Sequence, residues 1–416
     1  MAQDKDQKTL NVPPLRFPGF TDEWKKTTLG EIGKTFNGLT GKNSNDFGQG
    51  SPYITYKSIF DNSKVDISRV EYVTITDNER IKSAQNVVRL GDIFFTTSSE
   101  TPTEVGMTSV LLDGIEDCYL NSFCFGYRLS NKEETLPEYF RFYLRASVIR
   151  NKLSILAQGS TRFNISKNEV MRMGINLPNS SEQEKIAALL SCIDERITTQ
   201  NKIIDNLQSL IKGLNDSFHD NKQGEAISFD ELGHSYSGLS GKSGDDFGQG
   251  SPYITYLNVF QNNVANEEQL GLVSVDENES QNTISYGDVL FTLSSETPEE
   301  TGIGCVYLGK SGKYYLNSFC FGVRITQSNK VYPPYLAHLV SSSQFRRFVY
   351  PLAQGCTRFN LQKNDFMKKK FILLPIEKQK EISKTLDALH DKLSVEFKLL
   401  GLYSKQKAYL LRSMFI

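Results

Sequence analysis

Apolar residues recur along this chain in two rhythms, and each rhythm occurs twice. From residue 186 they follow alternating spacings of four and three: Ile186, Leu190, Ile193, Ile197, then Gln200, then Ile204, Leu207, Ile211, Leu214 and Phe218. A heptad seam sustained this long predicts a helix whose apolar stripe packs on another helix. The seam returns at Ile382, Leu386, Leu389, Leu393, Glu396, Leu400, Tyr403, Lys407, Leu410 and Met414. Gln200 and Glu396 are equivalent; a polar seam residue that sets register and a place at the solvated edge both suit them. A helix on the order of 38 residues spans about 57 Å at 1.5 Å rise per residue, too long to stand alone with one apolar stripe. The two helices are therefore expected to pair, antiparallel if a two-fold axis relates the copies, and to act as a ruler. Ser181-Glu182-Gln183-Glu184, after Pro178, reads as a capping box opening the first helix.

The second rhythm is that of short strands. Ser51 to Tyr56 and Ile93 to Thr97 are rich in aromatic and β-branched residues, with glycine-rich stretches such as Gly48-Gln49-Gly50 breaking them up. Helical patterns over 137–153 and 333–349 are interspersed. The mixture predicts α+β domains without regular βαβ alternation.

These segments repeat almost verbatim. Gly38 to Tyr56 returns as Gly238 to Tyr256, with 15 of 19 residues identical. Gly91 to Gly126 (GDIFFTTSSETP…YLNSFCFG) returns as Gly287 to Gly322, and Ala157 to Asn164 (AQGSTRFN) as Ala353 to Asn360. A period near 200 residues is far longer than a solenoid unit, so a whole domain is duplicated. The chain divides into an N-terminal arm (1–19), a first globular domain (20–178), a helix (179–222), a second globular domain (223–375) and a C-terminal helix (376–416). Two similar globular domains joined by two long helices in an antiparallel coiled coil, with pseudo-two-fold symmetry, is the expected α+β architecture.

Composition narrows the chemistry. A net charge of −1 argues against a uniformly basic nucleic-acid coat, so any positive charge facing DNA must be local. Arg141, Arg145, Arg150, Lys152, Arg346, Arg347 and Lys368 to Lys370 are candidates, read first as solvated helix faces and strand edges. The six cysteines form no C-x-x-C pair and there are four histidines, so neither a shared disulfide framework nor a zinc site is expected. No apolar stretch reaches membrane-span length, and a cytoplasmic protein is expected.

Gly38-Leu39-Thr40-Gly41-Lys42 and its copy approach a phosphate-binding loop, but Phe36 and Tyr236 stand where that motif needs glycine. Ser98-Ser99-Glu100-Thr101 and Ser294-Ser295-Glu296-Thr297 set hydroxyls beside a carboxylate, yet no histidine recurs in both copies to serve as a base. A non-catalytic chain is expected. The same residues suit recognition, since Glu accepts from cytosine N4 and Asn pairs with adenine. The candidate DNA-contacting residues are Lys42 and Lys242, Ser98 to Thr101 and Ser294 to Thr297, Thr161, Arg162, Asn164 and Lys167, with Thr357, Arg358, Asn360 and Lys363. For these polar loops, ligand contact and plain turn both remain open. The aromatic Tyr119–Gly126 and Tyr315–Gly322 segments are expected to be buried strand.

Taken in order, the motifs resemble the specificity subunit of type I restriction-modification systems along essentially the whole chain. The resemblance rests on Leu15 to Trp24 followed by Thr28-Leu29-Gly30-Glu31, and on Gly159 to Asn164 leading through Leu177-Pro178 into Glu182 to Ile186. The second copy follows through Leu374-Pro375 and Gln379-Lys380-Glu381-Ile382. It implies two target recognition domains, each reading one half of a split site in double-stranded DNA, and a helical spacer setting the gap. It also implies two modification subunits, which hold S-adenosylmethionine and methylate adenine, and restriction subunits that translocate and cut. This chain would hold no cofactor itself. The near-identity of the copies adds the expectation of a nearly palindromic site, with differences in base preference placed in Asp61–Leu90 and Gln261–Tyr286, which differ in sequence and in length. The outer apolar residues Leu189, Ile203, Leu399 and Leu402 are expected to serve the modification subunits. The competing readings are a duplicated coiled-coil scaffold without DNA binding, and an unfamiliar enzyme using Glu100 and Glu296.

Overall fold

In the computed structural model the described residues are 10–220, 224–309 and 312–416. The first nine residues of the expected arm, the last two (221–222) of the expected first helix and residues 223, 310 and 311 of the expected second domain lie outside them. The chain forms two compact units, residues 1–200 with 399–416, and residues 201–398. Each long helix gives one end to each unit: Ser180–His219 is cut after residue 200, and Ile376–Ser413 after residue 398.

The first unit is built on a four-stranded antiparallel sheet in the order Gly33–Asn37, Cys124–Leu129, Ile93–Thr96, Thr108–Val110. Successive side chains of a strand face opposite ways, so the all-apolar Ile93-Phe94-Phe95 run feeds two cores. Ile93 and Phe95 join Phe125, Tyr127, Tyr139 and Tyr143, with Phe95 and Phe125 stacked 4.9 Å apart. Phe94 points into a smaller core with Phe36, Ile54, Ile59 and Leu120. A second sheet centres on Phe47–Ile54, flanked by Glu71–Val73 and, in parallel, by Tyr119–Leu120.

The second unit repeats this plan strand for strand, from Gly233–Ser237 through Cys320–Ile325, Val289–Thr292 and Gly304–Val306, with Phe247–Ile254 at the centre of its smaller sheet. Each copy carries a bidentate ion pair on a buried aspartate, half-buried Arg128 on Asp92 and half-buried Arg324 on Asp288. This explains the recurring Gly-Asp of the GDIFF and GDVLF motifs. Two expectations are corrected. Gly48-Gln49-Gly50 does not break a strand; it forms a bulge within it, with Phe47 and Ser51 both opposite Val73. Gly50 has φ of +103°, and a Cβ there would lie 2.5 Å from the Val73 carbonyl oxygen. The first long helix is capped by Asn179, whose side chain accepts from the Glu182 N–H at 2.9 Å. Ser181 already lies inside the helix, and buried Glu182 is the partner of Arg16.

Within each unit the helix ends run antiparallel. In the first, Ile186, Leu190 and Ile193 share a core with Leu410, Met414 and Phe415, partly buried Ile197 packs against it, and Asp194 binds Lys407 at 2.6 Å. In the second, Leu214 and Phe218 pack on the core that holds Ile382 and Leu386. Ile204, Leu207 and Ile211 are buried, while Leu389, Leu393 and Leu400 are half-buried. Gln200 is buried rather than at a solvated edge. Ile203 and Leu402 are exposed, whereas Leu189 and Leu399 are half-buried.

The basic residues proposed as local positive charge are largely structural. Arg150 donates to the carbonyls of Thr103, Val105 and Gly106 at 2.6–2.7 Å, and Arg346 does the same to Glu299, Thr301 and Gly302. Burial pushes both guanidinium groups down to about 10. Arg145 donates to the carbonyls of Ile59, Phe60, Asn62 and Thr108, and Arg141 pairs with Asp194. Replacing Arg150 by Ala strands three carbonyls, and unfolding in denaturant should show a loss of roughly 2–4 kcal/mol. Lys, a point donor without the guanidinium fork, should rescue little. A near-neutral R150A would show that water replaces the guanidinium.

All four histidines belong to the second unit. Burial pushes the His219 and His390 imidazoles below their ordinary value of 6.5. Just below that pH the unfolded chain therefore binds more protons than the folded one, and stability is lost as pH falls through the ordinary value. Hydrogen exchange between about pH 7.5 and about pH 5.5, corrected for intrinsic rates, should show the second unit losing protection faster than the first. Equal losses in both would contradict this.

Candidate DNA interface

Each unit gathers its repeated motifs around one turn, Asn121-Ser122-Phe123 in the first and Asn317-Ser318-Phe319 in the second. The Asn121 Oδ1 accepts from the Phe123 N–H at 2.8 Å, and the Asn121 carbonyl accepts from Cys124 N–H at 3.1 Å. Asn121 also donates from its backbone to Ile54 O and from Nδ2 to Tyr53 Oη. The second copy keeps the turn, with Asn317 Oδ1 accepting from Phe319 N–H at 2.9 Å. Tyr119, Leu120, Cys124 and Phe125 are buried as expected for strand, but the turn between them stands in solvent.

The GLTGK loop lies directly on this turn. Leu39 N–H donates to Leu120 O at 2.7 Å, and a Cβ on Gly38 would lie 2.0 Å from Asn121 O, so only glycine fits. Gly238 meets Asn317 O in the same way. Thr97 reaches the other side, donating from both its N–H and its hydroxyl to Phe123 O. Leu293 takes its place in the second unit and keeps only the backbone bond.

Strand pairing then brings the SSETP and STRFN motifs together across more than 60 residues of sequence. Ser98 pairs with Asn164 and Ser99 with Phe163; Ser294 pairs with Asn360 and Ser295 with Phe359. The four serines are buried by this pairing. Their neighbours Glu100, Thr101, Thr161, Arg162 and Asn164 are exposed, as are Glu296, Thr297, Thr357, Arg358 and Asn360. Tyr56 and Phe60, stacked 5.8 Å apart, line a cleft with Glu100, Thr161 and Arg162, and Tyr56 Oη donates to Ser98 O.

Among the described residues, the side chains of Glu100, Arg162, Glu296 and Arg358 make no hydrogen bond or ion pair. An exposed carboxylate and an exposed guanidinium thus flank the same strand pair, twice. The candidate lysines sit differently. Lys42, with 7% of its side chain exposed, binds Glu79 at 2.7 Å, and Lys242 binds Glu279. Both acids come from the segments that differ between the copies. Residues Asp77–Lys82 form a helix there in the first unit; the matching stretch of the second is irregular. The Lys42 ammonium holds the Glu79 carboxyl down at about 2. Lys167 donates to Asn37, and Lys363 lies 5.4 Å from the Phe321 ring centroid.

Three contributors were unread or misread in the sequence. Glu104 accepts from Thr101 and Ser99, and Glu300 from Ser295, so each acid braces its SSETP loop from within. Arg150 and Arg346, read in the sequence as local positive charge, hold the following residues from behind. The hub asparagines carried a signal, because a polar residue recurring unchanged inside an aromatic run is not what a buried strand needs.

Comparison with known proteins agrees with this architecture. The family model described as type I restriction modification DNA specificity domain matches residues 21–209 and 240–400. The chain is 28% identical over 207 residues to a type I restriction enzyme MjaX specificity subunit from Methanocaldococcus jannaschii, an alignment that covers 46% of this chain and spans about half (47%) of that relative. Among solved structures, a type I restriction-modification S subunit from M. genitalium aligns over 97% of this chain and 99% of its own, with TM-score 0.55 and 14% identity. The HsdS subunit from Thermoanaerobacter tengcongensis aligns over 97% and 98%, with TM-score 0.51 and 16% identity. A chain from a study of complex assembly and conformational transition of the type I R-M system aligns over 96% and 98%, with TM-score 0.59 and 17% identity. These likenesses are of fold, and the family model spans most of the chain: this protein belongs to the type I restriction-modification DNA specificity family.

Proposed function

We propose that this chain is the sequence-reading subunit of a type I restriction-modification enzyme, each unit reading one half of a gapped, nearly palindromic site in duplex DNA. The observation that carries this reading is the cluster built twice on the same backbone turn, with an unpaired carboxylate and guanidinium in each copy. The guanidinium suits phosphate, which positions without reading sequence, and the carboxylate and Asn164 or Asn360 suit base edges. The long helices set the number of unspecified bases and dock two modification subunits in the cytoplasm. Methyl transfer from S-adenosylmethionine, translocation and cleavage belong to the modification and restriction subunits, and no step of that chemistry falls to this chain.

A methylome of cells expressing this chain with its modification subunit, against cells lacking only this chain, should show a bipartite adenine-methylation motif that depends on it, with halves close to inverted copies. Exchanging Asp61–Leu90 for Gln261–Tyr286 should convert one half-site toward the other; an unchanged motif would remove those segments from base selection. In the assembled methyltransferase, Arg162→Ala and Arg358→Ala should each weaken DNA binding across all sequences and lower the slope of log affinity against log salt by about one. A change in sequence preference without a change in slope would place these arginines on base edges.

A further inference from the structure

Phe123 and Phe319 are 58% and 57% exposed, at the tip of the hub turn in each unit. Neither ring joins a hydrophobic core or stacks on another aromatic ring among the described residues. Nor does the turn need an aromatic there. It is made by the Asn121 side chain and by main-chain groups of residue 123: the N–H is held by Asn121, and the carbonyl by Thr97. Any residue but proline at position 123 would leave those bonds intact, yet a large apolar ring recurs in both copies. Such a ring, left in water on a turn whose N–H and carbonyl are both hydrogen-bonded, is built for something outside the chain.

We propose that Phe123 and Phe319 are specificity-determining residues, each pressing its ring into one base step of its half-site. This rests on the DNA-reading function proposed above. Partial unstacking costs a few kcal/mol per step, and only a rigid lever can impose it, since a mobile loop would recoil instead. The polar surroundings match the task. Thr97 links Phe123 to the strand pair bearing Glu100 and Arg162, so the wedge enters where phosphate and base-edge contacts hold the duplex. Because pyrimidine–purine steps unstack most readily, the two wedges select a deformable step at matching places in both halves. Sequence preference then arises partly from stiffness, at positions that accept no hydrogen bond.

The test uses the full chain assembled with its modification subunits, and duplexes carrying 2-aminopurine in turn at each purine of the methylome-defined site except the methylated adenines. Binding by the wild type should raise fluorescence at one step in each half-site. Phe123→Ala should abolish the rise in one half and Phe319→Ala in the other, each weakening binding roughly tenfold with thermal stability unchanged. Salt-sensitive binding with no rise at any position would overturn the wedge and leave DNA reading intact. So would a rise that persists in both variants, or a dependence on thymine methyl groups, tested with deoxyuridine, in place of unstacking. Absence of salt-sensitive binding by the wild-type assembly would instead overturn the underlying DNA-reading function.

Discussion

A buried glutamine joins each globular domain to its long helix, and the placement of everything else follows from that joint. Gln183 and Gln379 are 1% and 0% exposed, one turn into their helices. Gln183 accepts from Leu136 N–H at 2.9 Å and donates to the carbonyls of Glu134 and Pro178. Gln379 accepts from Tyr332 N–H and donates to those of Lys330 and Leu374. A buried amide is tolerable only when its donors and acceptor are satisfied, and here one side chain ties the loop before the domain's helix pair, the end of the last strand and the spacer helix together. Each helix therefore leaves its domain at a determined angle, and its apolar stripe enters the domain core.

Upon this joint the two units carry the same presenting surface on different supports. The hub turn, the glycine that lets the GLTGK loop touch it and the strand pairing of SSETP with STRFN recur without change. The two units diverge in the residues beside the long helices and in the variable segments that flank the cluster. Beside the helices the first unit uses Arg141, Asp194 and Lys407, while the second uses His338 bonded to Asp387 at 2.7 Å, with His390 stacked on His338. The two variable segments share no helix, but each supplies one glutamate to the lysine of the GLTGK loop. Similar reading surfaces with separately adjusted flanks are what a site with matching but unequal halves requires.

Much of this was legible in the residues. The heptad seams, the α+β mixture and the duplication were carried by period and by verbatim repetition, which need no knowledge of contacts. The two helical stretches at 137–153 and 333–349 exist, each broken into a pair of short helices. What misled were features whose local meaning is overridden by distant partners. Lys42 and Lys242 looked free because Glu79 and Glu279 lie 37 residues away; Ser98 and Ser99 looked like loop hydroxyls because the strand that buries them follows more than 60 residues later. Arg145, Arg150 and Arg346 read as surface charge, whereas their partners are backbone carbonyls, which leave no trace in a sequence pattern.

The sequence by itself determined that there are two copies, which elements each contains, where the long helices run and to which family the chain is similar, because these depend on periodicity and on the order of motifs. Tertiary structure alone decided which polar residues face outward. Strand pairing turned the serines of SSETP inward and left Glu100 and Arg162 exposed on its flanks, and the Asn121 turn lifted Phe123 out of a run that otherwise reads as buried strand. Whether a side chain is a support or a reading group depends on which remote backbone atoms approach it, and only the folded chain sets those distances.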